Sequence, residues 1–373
     1  MKNYLLRIIK GKEEGLTAKI VKVVLNILAV IYYCLIKIRA LAYKLRLKKS
    51  KCLSKPVISI GNITVGGTGK TPLVKFLASE LKQQNLNPVI LTGGYKAEEK
   101  SDLTVVANED ETLTNAKQAG DEAYLLARLL KNIAVIAGQQ RSLTGEYACR
   151  EFEPDFVILD DAFQHWQLNR DYDIVVIDGT NPFSNGSLLP AGLLREPISS
   201  LKRADAFVIT KVNQISGKKL AEIKDEIRNY NFDALMITTK HQPGYLRELT
   251  SDKREKIDLK NKRVVAVSGI GNPKSFTETL TSLEAEVVKH FKFPDHYQYN
   301  TEDIMEIYTT ATTEDVDMIV TTEKDAVSIE TADFSEIVKG ELPFKVLGIE
   351  IEIIDSRAKF LELLDELDDL EVC

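Results

Sequence analysis

The sequence predicts an α/β fold: a mainly parallel sheet with helices on both faces, a smaller second α/β lobe, and a separate apolar helix near the N-terminus. Three observations carry this. Short β-branched runs alternate with longer helix-like stretches, the first of these runs opens into a glycine-rich loop, and a polar tract breaks the alternation past the middle of the chain. Near-continuous apolar strands separated by helices are what a parallel sheet buried on both faces requires.

Residues 23–36, VVLNILAVIYYCLI, are apolar except for Asn26 and the tyrosine hydroxyls, and Lys37, Arg39, Lys44, Arg46, Lys48, Lys49 and Lys51 follow. The uninterrupted run is shorter than the roughly 20 residues that span a bilayer, and no small-residue cleavage site follows it. A helix lying in the interface, its basic residues among headgroups, fits this pattern; an ordinary core helix is the alternative. From Pro56 onward, 56–62, 88–95, 133–137, 156–161, 173–179 and 206–211 read as strands, and 70–83, 120–131 and 216–230 as helices. Residues 241–262 are charged, contain Pro and Gly, and read as a linker. Beyond them, 263–270, 285–293 and 317–325 read as strands and 272–283 and 301–311 as helices, before an acidic amphipathic helix at the C-terminus.

Composition narrows the function. The chain has 373 residues, 44% hydrophobic and 28% charged, as in a folded protein with room for two domains. Cys34, Cys52, Cys149 and Cys373 form no C-x-x-C pair, and the four histidines form no H-x-x-x-H pair. A disulfide framework, a zinc site and a histidine metal centre are therefore not expected. Residues 1–55 hold 14 Lys/Arg against 2 Glu, a net of +12, so the rest of the chain carries −18 of the overall −6. That asymmetry disfavours nucleic-acid binding and suits docking on an anionic surface at one end.

The loop after the first strand reads GNITVGGTGKT (61–71). A strict phosphate loop, G-x-x-x-x-G-K-[ST], would place its first glycine where Thr64 stands. The chemistry is otherwise complete. Gly66, Gly67 and Gly69 free backbone N–H groups for phosphate oxygens, Lys70 supplies a cation for the β/γ-phosphates, and the Thr71 hydroxyl suits Mg²⁺. Thr64, Val65, Gly66, Gly67, Thr68, Gly69, Lys70 and Thr71 are the expected nucleotide-binding residues, and the fold is expected to be of the P-loop NTPase type. The metal also needs an acid at a neighbouring strand end. The pair Asp160 and Asp161 is the first candidate and Asp178 the alternative. In TKVN (210–213), Asn213 replaces the aspartate of a guanine-reading element, which favours ATP over GTP. The predicted organisation is a membrane-associating segment 1–50, a nucleotide-binding domain 51–240, a linker 241–262, and a smaller lobe 263–373 whose last helix is free to fold back on the first domain.

Two families compete for these motifs. Partitioning and site-selection ATPases carry K-G-G-x-G-K-[ST], but their signature lysine would fall at Val65; a membrane-recruited switch ATPase of that type is the alternative function. GNITVGGTGKTP, AGDEAYLLA (119–127), LDDAFQH (159–165), LPAGLLREP (189–197), FPDHYQY (293–299) and TTEKDA (321–326) together resemble the tetraacyldisaccharide 4'-kinase family of lipid A biosynthesis. The resemblance implies a kinase at the cytoplasmic face of a Gram-negative inner membrane, peripheral or monotopic. It would move the γ-phosphate of ATP, with Mg²⁺, to the 4'-hydroxyl of a tetraacyl-glucosamine-disaccharide 1-phosphate, forming lipid IVA. Its partners would be that lipid and the membrane surface, with no nucleic acid; the sequence carries no signal for oligomeric state.

The resemblance further implies that Asp121 is the catalytic acid/base and His296 its partner, from different lobes that closure would unite. A sugar hydroxyl is a poor nucleophile, and a carboxylate backed by an imidazole can take its proton. Glu122, Arg141 and Arg195 are candidate contacts to the metal or to substrate phosphate and sugar, Glu122 first for the metal; for His165 a substrate contact and a structural place behind the Asp pair both stay open. Two departures stand out. Ala162 replaces a glycine usual in the family, and TGGYKAEEK (92–100) lacks the usual arginine, leaving Lys96 beside Glu98 and Glu99.

Overall fold

A computed structural model describes residues 7–9, 13–94, 97, 101–331 and 342–368. Lys96, Glu98 and Glu99 lie outside the described residues.

Along the chain run α1 (Leu16–Lys44), β1 (Val57–Gly61), α2 (Lys70–Gln83), β2 (Pro88–Thr92), β3 (Thr104–Ala107), α3 (Ala116–Ala119), α4 (Asp121–Leu129), β4 (Ala134–Ala137) and α5 (Arg141–Phe152). There follow β5 (Phe156–Asp160), β6 (Tyr172–Asp178), β7 (Ala206–Thr210), α6 (Gly217–Arg228), β8 (Leu235–Glu248), β9 (Arg263–Ser268), α7 (Pro273–Ser282) and β10 (Glu286–Lys292). The last elements are α8 (Thr301–Thr313), β11 (Met318–Thr322), α9 (Glu323–Glu330), β12 (Phe344–Ile353) and α10 (Arg357–Asp368). The strands expected from sequence fall within the predicted stretches, except that β6 begins one residue earlier, at Tyr172. β3, β8 and β12 are additional strands: β3 is only four residues long, β8 carries Pro, Gly and charge, and β12 has Gly and charged residues among its apolar ones.

Internal contacts divide the chain into two compact units. The first is Met1–Lys70, Arg141–Lys240 and Ile353–Cys373; the second is Thr71–Gln140 and His241–Glu352. The division meets the expected boundary at 240, has none at 262, and assigns Thr71–Gln140 to the second unit and Ile353–Cys373 to the first. Residues 241–248, expected to begin a linker, are the second half of the fourteen-residue strand β8. Leu249 and Leu259 beyond it are buried.

In the first unit, β5, β1, β6 and β7 pair in parallel, joined by the start of β8. Val57–Gly61, Phe156–Asp160 and Ala206–Thr210 are buried at every position, as helices on both faces demand. Parallel pairing brings the carboxyl ends of these strands to one edge, where Gly61, Asp160, Asp178 and Thr210 end their strands. That edge is where parallel α/β sheets bind ligands.

Helix α1 belongs to this unit and outruns its apolar core, with 29 residues against the 14 of the uninterrupted run. At 1.5 Å per residue it is about 44 Å long. Its length and composition would let it cross a membrane, with a mean hydropathy of 2.0 and none of that window buried. The core-helix alternative is thereby set aside. Ala18 is buried, and Val21, Leu25, Ala29, Tyr32, Ile36, Ala40 and Tyr43 are half-buried, a stripe recurring every three or four residues. Val23, Ile27, Val30 and Ile38 lie exposed on the other side.

In the second unit, β2 and β4 pair in parallel with β3 antiparallel at the edge, and β10, β9, β11 and β12 form a parallel set. One face of that set packs Val265, Val267 and Ile319 with Ile304 and Ile307 of α8; the other packs Val264 and Ala266 with Phe276 and Leu280 of α7. Residues 116–130 join the unit through α4 and α9, where Leu125 and Ala116 pack on Val327.

Candidate active site

The glycine loop explains its own anomaly. Thr64 forms an antiparallel bridge with Leu194, Val65 N–H donates to the Leu193 carbonyl at 2.8 Å, and Arg195 N–H donates to that of Ile63 at 2.7 Å. Thr64 is thus a buried, extended residue that needs no glycine. The positions that do need one are Gly66 (φ 124°) and Gly69 (φ 99°). The loop is pinned from behind. Asn62 Nδ2 donates to Thr68 Oγ1 at 3.0 Å, Thr210 Oγ1 donates to the Thr68 carbonyl at 2.8 Å, and Lys211 Nζ donates to the Gly67 carbonyl at 3.1 Å.

The three candidate acids take different roles. Asp178 is engaged by Lys211 Nζ at 2.5 Å and by the Thr180 hydroxyl at 2.6 Å, so it anchors the loop's support. Asp161, in a left-handed conformation (φ 54°), accepts from Arg195 Nη1 at 2.9 Å on both oxygens, with Lys70 Nζ at 3.5 Å. Burial alone would raise its pKa, but Lys70 and Arg195 hold the carboxyl below the usual range. Asp160 is buried at the end of β5. Its carbonyl accepts from Nη2 of Arg141, the first residue of α5, at 3.3 Å. Burial pulls the Arg141 guanidinium down to about 10, against the pull of Asp160 and Asp161. Arg141 therefore sits beneath the acid pair as a buried counter-charge. His165 is neutral at neutral pH, because burial, helped by Arg141, Arg39 and Arg170, takes it down to about 4.

The second unit carries the other expected pair. Asp121 opens α4 behind Gly120 (φ 86°), is 8% exposed, and accepts from Gln298 Nε2 at 3.0 Å. His296, itself left-handed (φ 58°), brings Nε2 to 3.8 Å from Glu122 and 3.0 Å from Lys324 Nζ. Lys324 also holds Asp295 at 2.8 Å. An ammonium only donates, so Nε2 accepts from Lys324 and the imidazole's proton sits on Nδ1. Asp121 and His296 thus belong to one compact unit, unlike the expectation of two lobes. The reason is that Gln298, two residues past His296, reaches the first turn of α4.

A charged network ties β8 to both ends of α9 and the last turn of α4 to the end of α9. Arg247, 4% exposed, donates to Glu323 at 2.7 Å, and Tyr245 Oη donates to Glu323 at 2.8 Å. Arg128 of α4 pairs with Glu330 of α9 and with Asp252 at 2.5 Å. Gln298, Lys324 and Arg247 escaped the sequence reading. The first two stand inside FPDHYQY and TTEKDA and could have been singled out there, whereas nothing in sequence marks Arg247.

Among the described residues, no three His, Cys, Asp or Glu side chains cluster as a metal cage. The expected ligands Thr71, Asp160, Asp161 and Glu122 supply a hydroxyl and carboxylates, hard oxygen donors of the kind Mg²⁺ takes when waters and nucleotide oxygens complete its shell.

Comparison with known proteins agrees with these motifs. The family described as Tetraacyldisaccharide-1-P 4'-kinase (LpxK) matches residues 21–368. The chain is 42% identical over 364 residues to the tetraacyldisaccharide 4'-kinase of Halothermothrix orenii, covering 95% of this chain and 94% of that one. It is 36% identical over 346 residues to that of Syntrophus aciditrophicus, covering 90% of each. The crystal structure of LpxK from Aquifex aeolicus in complex with ATP superposes with a TM-score of 0.73 at 29% identity, covering 93% of this chain and 99% of that one.

Proposed function

This chain belongs to the tetraacyldisaccharide-1-P 4'-kinase family, and from that premise we propose how its residues perform the transfer. It is a phosphotransferase with an alcohol acceptor, moving the γ-phosphate of ATP to the 4'-hydroxyl of a tetraacyldisaccharide 1-phosphate. The switch-ATPase alternative is not favoured, since Val65 occupies the position of that group's signature lysine. The observation that carries the reading is the loop held at the strand edge, with Lys70 resting on Asp161 at 3.5 Å.

Backbone N–H groups of 66–70 bind the β- and γ-phosphates, and Lys70 leaves Asp161 to neutralise them. Arg195 keeps the Asp161 charge compensated as Lys70 moves. Thr71 and Asp160 would hold Mg²⁺, which when bound neutralises phosphate charge. Asp121, ionised and oriented by Gln298, accepts the proton of the sugar hydroxyl at attack. His296, with Nε2 3.0 Å from Lys324 and 3.8 Å from Glu122, would take the proton onward at Nε2 as Lys324 releases that nitrogen.

The membrane reading rests on α1. A helix that lies along its own unit for its whole length exposes a continuous apolar face on the outside, and Lys44, Arg46, Lys48, Lys49 and Lys51 follow it. Those features support an in-plane, monotopic seat on the anionic inner-membrane surface. There the acyl chains of the substrate stay in the lipid while its sugar reaches the enzyme.

The direct test is incubation with γ-labelled ATP and a tetraacyldisaccharide 1-phosphate. A labelled lipid is expected; ATP binding with no labelled lipid would refute the assignment.

A further inference from the structure

Two hydrogen-bond relays run from the outer helix to the nucleotide loop within the first unit. In one, Tyr32 Oη donates to the Arg195 carbonyl at 2.9 Å. Arg195 then bonds the loop strand through N–H to Ile63 (2.7 Å) and the acid through its guanidinium to Asp161 (2.9 Å), which in turn holds Lys70. In the other, Arg39 Nη2 donates to the Gln164 carbonyl at 2.7 Å, Gln164 Nε2 donates to the Asn62 carbonyl at 2.9 Å, and Asn62 Nδ2 donates to Thr68 Oγ1 at 3.0 Å. The segment between them is gripped on both sides. Tyr43 packs on Trp166 at 5.5 Å, Arg203 stacks on Phe163 and Trp166 at 4.2 and 4.5 Å, and Gly61 leaves no room for a Cβ beside Phe163.

We propose that Tyr32 and Arg39 of α1 are positioning residues for the nucleotide loop. They hold Arg195 and Gln164, and through them the loop backbone and Lys70, in the geometry that receives the β- and γ-phosphates. Seating of the apolar helix and competence of the ATP site are then one mechanical event. A lone Tyr or Arg contact at a helix surface would be unremarkable. Here both residues lie on one helix, seven positions and so about two turns apart, Tyr32 half-buried and Arg39 at the exposed margin, and both relays end on the same loop. The inference rests on reading 61–71 as an ATP-binding loop.

The test uses the full chain in detergent micelles and measures the ATP dissociation constant, with turnover at saturating ATP and circular dichroism alongside. Tyr32→Phe and Arg39→Ala are each expected to weaken ATP binding about three- to tenfold, as loss of one hydrogen bond does, with turnover at saturating ATP and the spectrum unchanged. Arg39→Ala should add nothing further in a Gln164→Leu background, because both cut the same relay, whereas Tyr32→Phe should add its full factor. Wild-type ATP affinity in the Tyr32→Phe/Arg39→Ala double variant overturns the relays and leaves the loop assignment standing. A wild-type chain that binds no ATP overturns both. Flotation of the wild type with anionic vesicles tests the membrane seat separately.

Discussion

Replacing Gln298 with glutamate asks whether Asp121 takes the proton. The substitution keeps shape and exchanges an amide donor, 3.0 Å from Asp121 Oδ2, for a second carboxylate. Two unit charges at that separation repel by about 5.5 kcal/mol at an effective dielectric of 20 and about 1.4 kcal/mol in bulk water. Divided by about 1.36 kcal/mol per pKa unit, this brackets the rise in the pair's upper ionisation between about one and four units. Asp121 is buried but Gln298 is exposed, so the lower half of the bracket applies, about one to two units. The pair then shares a proton until the pH passes that raised, macroscopic pKa. The assay is initial kinase rate against pH for wild type, Gln298→Glu and the uncharged Gln298→Met. The acid limb of Gln298→Glu should move up by about one to two pH units, with activity recovering at high pH, while Gln298→Met loses rate without that displacement. Superimposable profiles for wild type and Gln298→Glu would refute Asp121 as the proton acceptor.

Three further outcomes follow from the same geometry. Lys324→Met should lower kcat about ten- to a hundredfold with KM for ATP unchanged, because His296 loses the donor that sets its orientation; a changed KM with intact kcat would contradict this. Gly61→Ala places a Cβ 2.6 Å from both the Cβ and the backbone N of Phe163. Backbone cannot yield cheaply, so thermal unfolding should report a loss of about 1–3 kcal/mol; melting at the wild-type temperature would show that the strand shifts freely. His165, with a folded pKa of about 4, is held below its unfolded value of about 6.5. For a histidine kept neutral by the fold, the stabilisation is complete above the unfolded pKa and is lost as pH falls toward the folded one. His165→Gln should therefore flatten the dependence of melting temperature on pH between about 6.5 and 4, leaving a slope from His290, which burial also takes to about 4. An unchanged slope would show that His165 titrates normally.

The sequence by itself determined whatever is written in consecutive residues. Strand, glycines, Lys70 and Thr71 announce a phosphate site because the groups that cradle a phosphate come from one continuous stretch of backbone. β-branched runs between amphipathic stretches announce a parallel α/β sheet for a similarly local reason. Asp121 and His296 could be named only through the motifs around them, since neither spacing nor periodicity distinguishes a catalytic carboxylate from a helix-starting one.

Tertiary structure decided which charges meet. Asp178 and Asp161 look alike as acids after buried strands, yet one is engaged by Lys211 and the other by Lys70 and Arg195. Thr64 looks like a lost glycine until Leu194, 130 residues away, pairs with it. The apparent linker after residue 240 continues as a strand because β12 lies beside it in the sheet, overriding its Pro and Gly. Each is a contact between segments far apart in sequence. Periodicity and turn chemistry report only a residue's near neighbours, and long-range pairing follows from how the buried faces pack.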